Sequence, residues 1–204
     1  LTTAAAGNFV INQASQPTIS ITGTTSSYPS GFSLGLSGGA GTGAVTYSLS
    51  AAGTAGCSVT SGGFVTFTSA GTCSINVTKA ADTNYTSGSS GVTTVTINPV
   101  IPTLSTPSSS ALTFNSATLG ATVTDAGGAS LSARGTCWGT TSNPTGNCSA
   151  EGSTATGAFT HSRTGLPSST FIYYRGYATN AAGTAYSADG TFTTLSSGTT
   201  TVAN

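Results

Sequence analysis

The sequence predicts an all-β protein: two tandem β-sandwiches joined by a short proline-containing linker, with one extra strand ahead of the first. Three observations predict it. Short segments of alternating apolar and polar residues recur between Gly, Ser and Asn turns, the pattern of sandwich strands rather than of βαβ units. The 204 residues fit two small domains. Finally, NFVINQASQPTIS at 8–20 is echoed by TVTINPVIPTLS at 94–105. In the second copy an alternating piece closes one domain and PTLS opens the next. The first copy therefore reads as a final strand whose own domain lies elsewhere.

In chain order, residues 1–13 form an N-terminal extension in which Phe9, Val10 and Ile11 are a candidate donor strand. Phe9 and Ile11 correspond to Val95 and Ile97, which fill the core side of a last strand. A lone strand with an apolar face and unpaired backbone groups needs cover, and addition to a neighbouring subunit's sheet provides it. The other source of cover is a further domain of a longer tandem array. The small residues Ala4, Ala5 and Ala6 resemble the end of a secretory signal, but too few residues precede them, so any export signal is expected to be gone already.

Residues 14–98 make the first sandwich, with strands at PTISIT (Ile19, Ile21), FSLGL (Phe32, Leu34, Leu36), VTYSL (Val45, Tyr47, Leu49), CSV (Cys57, Val59), VTF (Val65, Phe67), CSINV (Cys73, Ile75, Val77) and VTI (Val95, Ile97). No stretch of helical period is long enough to form a helix. Residues 99–102 are the linker; Pro99 and Pro102 fix φ and remove backbone donors, so a stiff, extended join is expected. Residues 103–194 make the second sandwich. There Ala117, Leu119, Ala121 and Val123 alternate, followed by Leu131, Ala133, Gly135 and Cys137, by Ala158 and Phe159, by Ile172, Tyr174, Gly176 and Ala178, and by Tyr186 and Phe192. Residues 195–204 carry no strong pattern and form a tail or an unpartnered strand.

Composition excludes several functions. Only eight residues are charged, four of each sign, and none precedes Lys79. A nucleic-acid binder needs clustered cations to displace counterions from phosphates, which four scattered ones do not supply. No apolar run approaches the roughly 20 residues of a membrane span. With 32 Ser and 42 Thr, solubility rests on hydroxyls, amides or attached sugar.

Cys57 and Cys73 each begin an inward-facing alternation, so a bridge between them is expected, closing a loop of about 15 residues and stabilising by roughly 3 kcal/mol. Cys137 and Cys148 flank the turn-rich WGTTSNPTGN, which a second bridge would close into a loop. Even count and local pairing point to an oxidising compartment. The spacings are not those of a thiolate metal site, and neither a metal nor another cofactor is expected.

No nucleophile elbow, zincin motif, phosphate loop or dinucleotide fingerprint is present, and His161 in AFTHSRTG reads as a solvated surface residue. An enzyme is not expected. The better candidate is an outer face of the second sandwich: with Ile172, Tyr174, Gly176 and Ala178 inward, Tyr173, Arg175 and Tyr177 face outward beside Phe171, and Arg134 and Trp138 are expected to join them from the neighbouring strand. Aromatic rings interleaved with guanidiniums suit stacking on sugars or anchoring a protein. The plainer reading is a covered Trp138 and cross-strand Arg/Tyr pairs that only stabilise the sheet. Asn76, Asn84 and Asn147 match the N-glycosylation acceptor pattern.

Two stretches resemble known modules. Residues 14–98, with GAGTGAVTYSL, VTFTSAGTCSINVTKAADTNY and a closing VTIN, resemble the Ig-like repeats of large bacterial surface proteins. Residues 102–194, with GGASLSARGTCWGTTSNPT and TGLPSSTFIYYRGYATNAAGTAY, resemble a bacterial fibronectin type III-like module. The resemblance implies exported, repetitive scaffolding with no family-wide active site. The expectation is a structural subunit of an extracellular filament or surface fibre whose partners are copies of itself, joined by strand addition. The alternatives are a stalk of a surface adhesin, or a carbohydrate-binding module using Trp138, Tyr173 and Tyr177, with surface glycans or other cell-surface proteins as partners.

Overall fold

A computed structural model describes residues 12–198. The chain divides into two compact units, the first ending at Ile97 and the second beginning at Asn98. Both are all-β, and among the described residues there is no helix.

In the first unit, one sheet runs in the order Thr25–Ser27, Thr93–Asn98, Gly71–Lys79, Val45–Ala51, with Gly88–Ser89 paired to Gly71–Lys79. Opposite it lie Phe32–Ser33, Phe64–Thr66 and Ser58–Val59, and the pair Ile19–Thr22 with Gly35–Gly38. All seven segments expected from alternation hold strands; Thr25–Ser27 and Gly88–Ser89, too short to show a period, are additional. The longest strand, Gly71–Lys79, sets the pattern: Cys73, Ile75 and Val77 point into the core, where they meet Ile19, Ile21, Leu34, Val65, Val95 and Ile97. Val45 and Leu49 share the inward face with Tyr47 but stay exposed, because they lie on a strand at the sheet's edge.

In the second unit, Ser116–Asp125 is the central strand of one sheet, flanked by Thr103–Leu104 and Ser108–Ser110 on one side and Gly157–Thr164 on the other. The facing sheet runs Ser149–Ala150, Ala133–Gly139, Phe171–Asn180, and then Gly183–Tyr186 and Gly190–Thr193 along the same neighbour. The core between them holds Leu119, Ile172, Tyr174, Leu166 and Phe192 toward one end and Val123, Leu131, Phe159 and Ala178 toward the other.

The residues read as a linker belong to the second unit. Val100 donates its N–H to the Gly127 carbonyl at 3.0 Å, its own carbonyl accepts from Asn180 Nδ2 at 2.7 Å, and Pro102 is fully buried. The cause is Asn180, whose side chain is buried and whose amide also bonds Ala126 O, Ala182 N–H and Gly183 N–H, so every polar group it carries is used.

Alternation also fails on one strand. Ala133, Gly135 and Cys137 were expected inward, but the inward residues of Ala133–Gly139 are Arg134, Thr136 and Trp138. A bend at Ser132 separates the buried Leu131 from the strand and shifts the phase by one residue, which exchanges the two faces. Tyr186 is likewise outward, directly opposite Tyr177.

Candidate functional site

On the strand Phe171–Asn180, Phe171, Tyr173, Arg175 and Tyr177 point outward, as their alternation with the buried Ile172, Tyr174 and Ala178 requires. Phe171 meets Tyr173 edge-on with ring centres 5.2 Å apart, and Tyr177 lies beside Tyr186 at 6.4 Å. The Arg175 guanidinium sits 4.9 Å over the Tyr186 ring, donates Nε–H to Ser187 O at 2.8 Å and pairs with Asp189 at 3.5 Å. Burial raises the Tyr177 hydroxyl above the ordinary phenol value.

Arg134 and Trp138 do not join this face. Arg134 is opposite Ala178 and Trp138 opposite Tyr174, which places both on the core side of the sheet. Trp138 packs against the cluster of Leu119, Ile172, Tyr174 and Phe192. Arg134 closes the sandwich margin: its guanidinium stacks on Phe159 at 4.9 Å, bonds Glu151 at 3.0 Å and donates to Ala155 O at 2.6 Å. That hydrogen bond from Arg134 is the main cause holding the Glu151 carboxyl below the usual carboxylate range.

The displaced phase brings together groups that sequence reasoning left apart. His161 shares the inward face of its strand with Phe159 and Arg163 and reaches across the sandwich to Thr136, Nε2 to Oγ1, at 2.6 Å. It is not a solvated surface residue. Burial lowers its pKa, and the nearby Arg163 lowers it further. Arg163 donates to Thr136 O and to Asn147 O, each at 2.6 Å, tying the margin of the sandwich to the disulfide loop. The signal that would have found the cluster is the period-two spacing of Phe159, His161 and Arg163.

Cys137, turned outward opposite Arg175, is bonded to Cys148. The loop between them reaches the turn on the far side of Arg175, where Asn143 N–H bonds Asp189 Oδ2 at 2.8 Å. Asn143 and Asn147 take left-handed backbone angles, φ 56° and 46°, which asparagine tolerates better than most residues. The Arg175 side chain is left 17% exposed. The face is therefore a partly covered shelf of Tyr173, Arg175, Tyr177 and Tyr186, suited to stacking and hydrogen-bond donation. Among the described residues, no three His, Cys, Asp or Glu are placed to hold a metal ion.

In the first unit Cys57 and Cys73 are buried and bonded to each other, Cys57 immediately before the strand Ser58–Val59 and Cys73 within Gly71–Lys79 of the facing sheet. Of the three acceptor-pattern asparagines, Asn84 and Asn147 are exposed on turns, whereas Asn76 lies within a strand and accepts from the Ser89 hydroxyl at 2.8 Å. Phe9, Val10 and Ile11 lie outside the described residues. The residues that follow them are fixed to the first unit: Ala14 N–H bonds Asn84 O at 2.8 Å and Ala14 O accepts from Thr86 N–H at 2.9 Å, a parallel bridge. Gln16 accepts from Ala40 N–H at 2.6 Å, and the Gln13 side-chain amide bonds Asp82 O. Asp82 holds this end together, its carboxylate accepting from Thr42, Gly43, Asn84 and Tyr85 N–H groups; the bond from Asn84, with those from Thr42 and Tyr85, keeps its pKa low.

No family model matches the chain, and no curated protein matches it. Among solved structures the chain is similar to a crystal structure of domains A168-A170 from titin, at 16% identity and a TM-score of 0.36, over 88% of this chain and 66% of that one, just under two thirds of its length.

Proposed function

We propose that the chain is a structural subunit of an extracellular bacterial filament or surface fibre, joined head-to-tail to copies of itself by addition of its N-terminal strand. The observation that carries this reading is the likeness of the two points where the chain enters a unit. Ala14 and Val100 each stand two residues after the asparagine that ends the echoed strand, and each has both N–H and C=O bonded to the unit it enters. Segment 12–18 is thus to the first unit what 98–103 is to the second, and by that correspondence Phe9 and Ile11 are to a preceding sheet what Val95 and Ile97 are to their own.

Both described units have their own last strand in place, so a strand from another copy adds at a sheet edge rather than in place of one of their strands. Val95 and Ile97 already fill the core of the first, between Thr25–Ser27 and Gly71–Lys79, and Phe192 completes the second. A neighbouring copy is the partner that satisfies the strand, and because donor and acceptor surfaces differ, such contacts propagate without closing. Two disulfides suit an oxidising, extracellular setting. The shelf of Tyr173, Arg175 and Tyr177 is where a surface glycan or another cell-surface protein would bind.

The test is electron microscopy and sedimentation of the whole chain beside a form lacking residues 1–13. Concentration-dependent filaments from the whole chain and monomers from the deletion are expected. Filaments that persist without residues 1–13 overturn strand addition, and a whole chain that stays monomeric favours an adhesin stalk.

A further inference from the structure

Three asparagines begin the acceptor pattern for N-linked sugar, and the fold treats them differently. Asn76 lies inside Gly71–Lys79, in register with Ser48 of the neighbouring strand, and Val77 beside it is fully buried. Its side-chain oxygen accepts from the Ser89 hydroxyl at 2.8 Å. An enzyme that grasped this segment would have to break the sheet. Asn147 is exposed but tethered: its Nδ2 donates to Trp138 O at 3.4 Å, its carbonyl accepts from Arg163 at 2.6 Å, and Cys148 beside it is bonded to Cys137.

Asn84 differs on each count. It stands between the strands Gly71–Lys79 and Gly88–Ser89, where the backbone makes an isolated bridge, Tyr85 with Ala14, in place of a ladder. Asn84 and Thr86, the two side chains the pattern requires, are both exposed. The bonds of Asn84 are made by its backbone, which donates to Asp82 Oδ1 at 2.8 Å and accepts from Ala14 N–H at 2.8 Å. Asp82 Oδ1 also accepts from Tyr85 N–H at 2.9 Å, so a carboxylate two residues earlier folds the segment into a surface turn with Asn84 on it. At the matching place before Asn76 and Asn147 stand Ser74 and Thr145, which carry no carboxylate.

We propose that Asn84 is a glycosylation site, the acceptor for an oligosaccharide delivered as its polyprenyl diphosphate by a transferase of the compartment in which the disulfides form. The Asn84 Nδ2 bonds to the anomeric carbon as the bond from that carbon to the diphosphate oxygen breaks. The diphosphate leaves with the electron pair, and the amide gives up one of its two protons. The first unit has a use for such a group. Its charged residues are Lys79 and Asp82, and both are engaged internally, Lys79 Nζ donating to Gly43 O at 3.0 Å and Asp82 accepting from four backbone N–H groups. A bulky hydrophilic sugar supplies the surface hydration that these charges do not. It would stand where Ala14 joins the first unit. The inference requires export alone and does not depend on whether copies join by strand addition.

The experiment incubates the full, disulfide-intact chain with an oligosaccharyltransferase and a polyprenyl-diphosphate-linked oligosaccharide, with a peptide spanning residues 80–88 as the control for transferase activity. Intact mass and glycopeptide sequencing are the readouts. One glycan per chain is expected, carried at Asn84, with Asn76 and Asn147 bare. Asn84→Gln should abolish the addition while leaving the melting temperature unchanged, since the bonds of Asn84 are made by its backbone. Thr86→Ala should abolish it as well and Thr86→Ser retain it, which separates loss of the hydroxyl from loss of the fold. A chain left unmodified while the peptide is modified overturns the proposal, and so does a glycan on Asn147 or Asn76 with Asn84 bare. Addition at Asn84 to a chain that stays monomeric supports this site while telling against strand addition, so the two readings fail separately.

Discussion

Gly176 faces Ala121 across the core of the second unit, and a methyl group added at Gly176 would stand 2.3 Å from the Ala121 Cβ. Gly176→Ala is expected to cost about 1–3 kcal/mol by overpacking, read as a lower melting temperature. Trp138→Ala tests the corrected facing: removing a partly buried side chain packed against the core should destabilise by about 3 kcal/mol, whereas an exposed tryptophan would leave stability nearly unchanged. His161 gives the second unit a pH dependence of definite sign. Its folded pKa lies below the ordinary 6.5, first because of burial and then because of Arg163. The unfolded chain therefore takes up the proton first, so stability is full above about 6.5 and falls as pH drops from there toward the folded value. Urea melts between pH 7.5 and 5 should show that loss, and His161→Gln should flatten it; a profile unchanged by the substitution assigns the dependence elsewhere.

At the scale of elements, the two disulfides do different work. Cys57 and Cys73 are both buried and join the two sheets of the first unit. Replacing both by serine should destabilise that unit by about 3 kcal/mol, the value for a loop of this length, seen in calorimetry. Cys148 is exposed, on a loop held over the outer face of the second unit by Arg163, Asn143 and Asp189. A thiolate must reach a sulfur to reduce a disulfide, so mild reductant should open Cys137–Cys148 first. Mass spectrometry after thiol alkylation should find Cys137 and Cys148 labelled while Cys57 and Cys73 remain oxidised. The strand elements themselves were largely legible, because a sheet buried on one face imposes period two on its residues. Ala133–Gly139 escaped because a single bend at Ser132 reverses the parity, and no residue type marks a bend of that kind. The polar cluster of Thr136, His161 and Arg163 was missed for the same reason: its members come from strands of opposite sheets, and only their phase makes them neighbours.

For the whole molecule, the repeat of 8–20 at 94–105 has a structural counterpart in the bonds of Ala14 and Val100 to the units they enter. The residues read as a stiff linker are bound at Val100 and buried at Pro102, so Asn180→Ala, which leaves the Val100 and Ala126 carbonyls short of a donor, is expected to destabilise the second unit by about 1–3 kcal/mol and to speed amide exchange at Val100, followed by hydrogen exchange.

Composition and alternation by themselves determined the all-β class, the two sandwiches, the cysteine pairs and most of the core, since those follow from local spacing and from which residues water rejects. Tertiary structure alone decided which face Arg134, Trp138 and Cys137 occupy, that His161 lies between the sheets, and that the candidate aromatic shelf is partly covered by its own loop. Facing depends on register across strands far apart in the chain, and one residue of slip exchanges inside for outside.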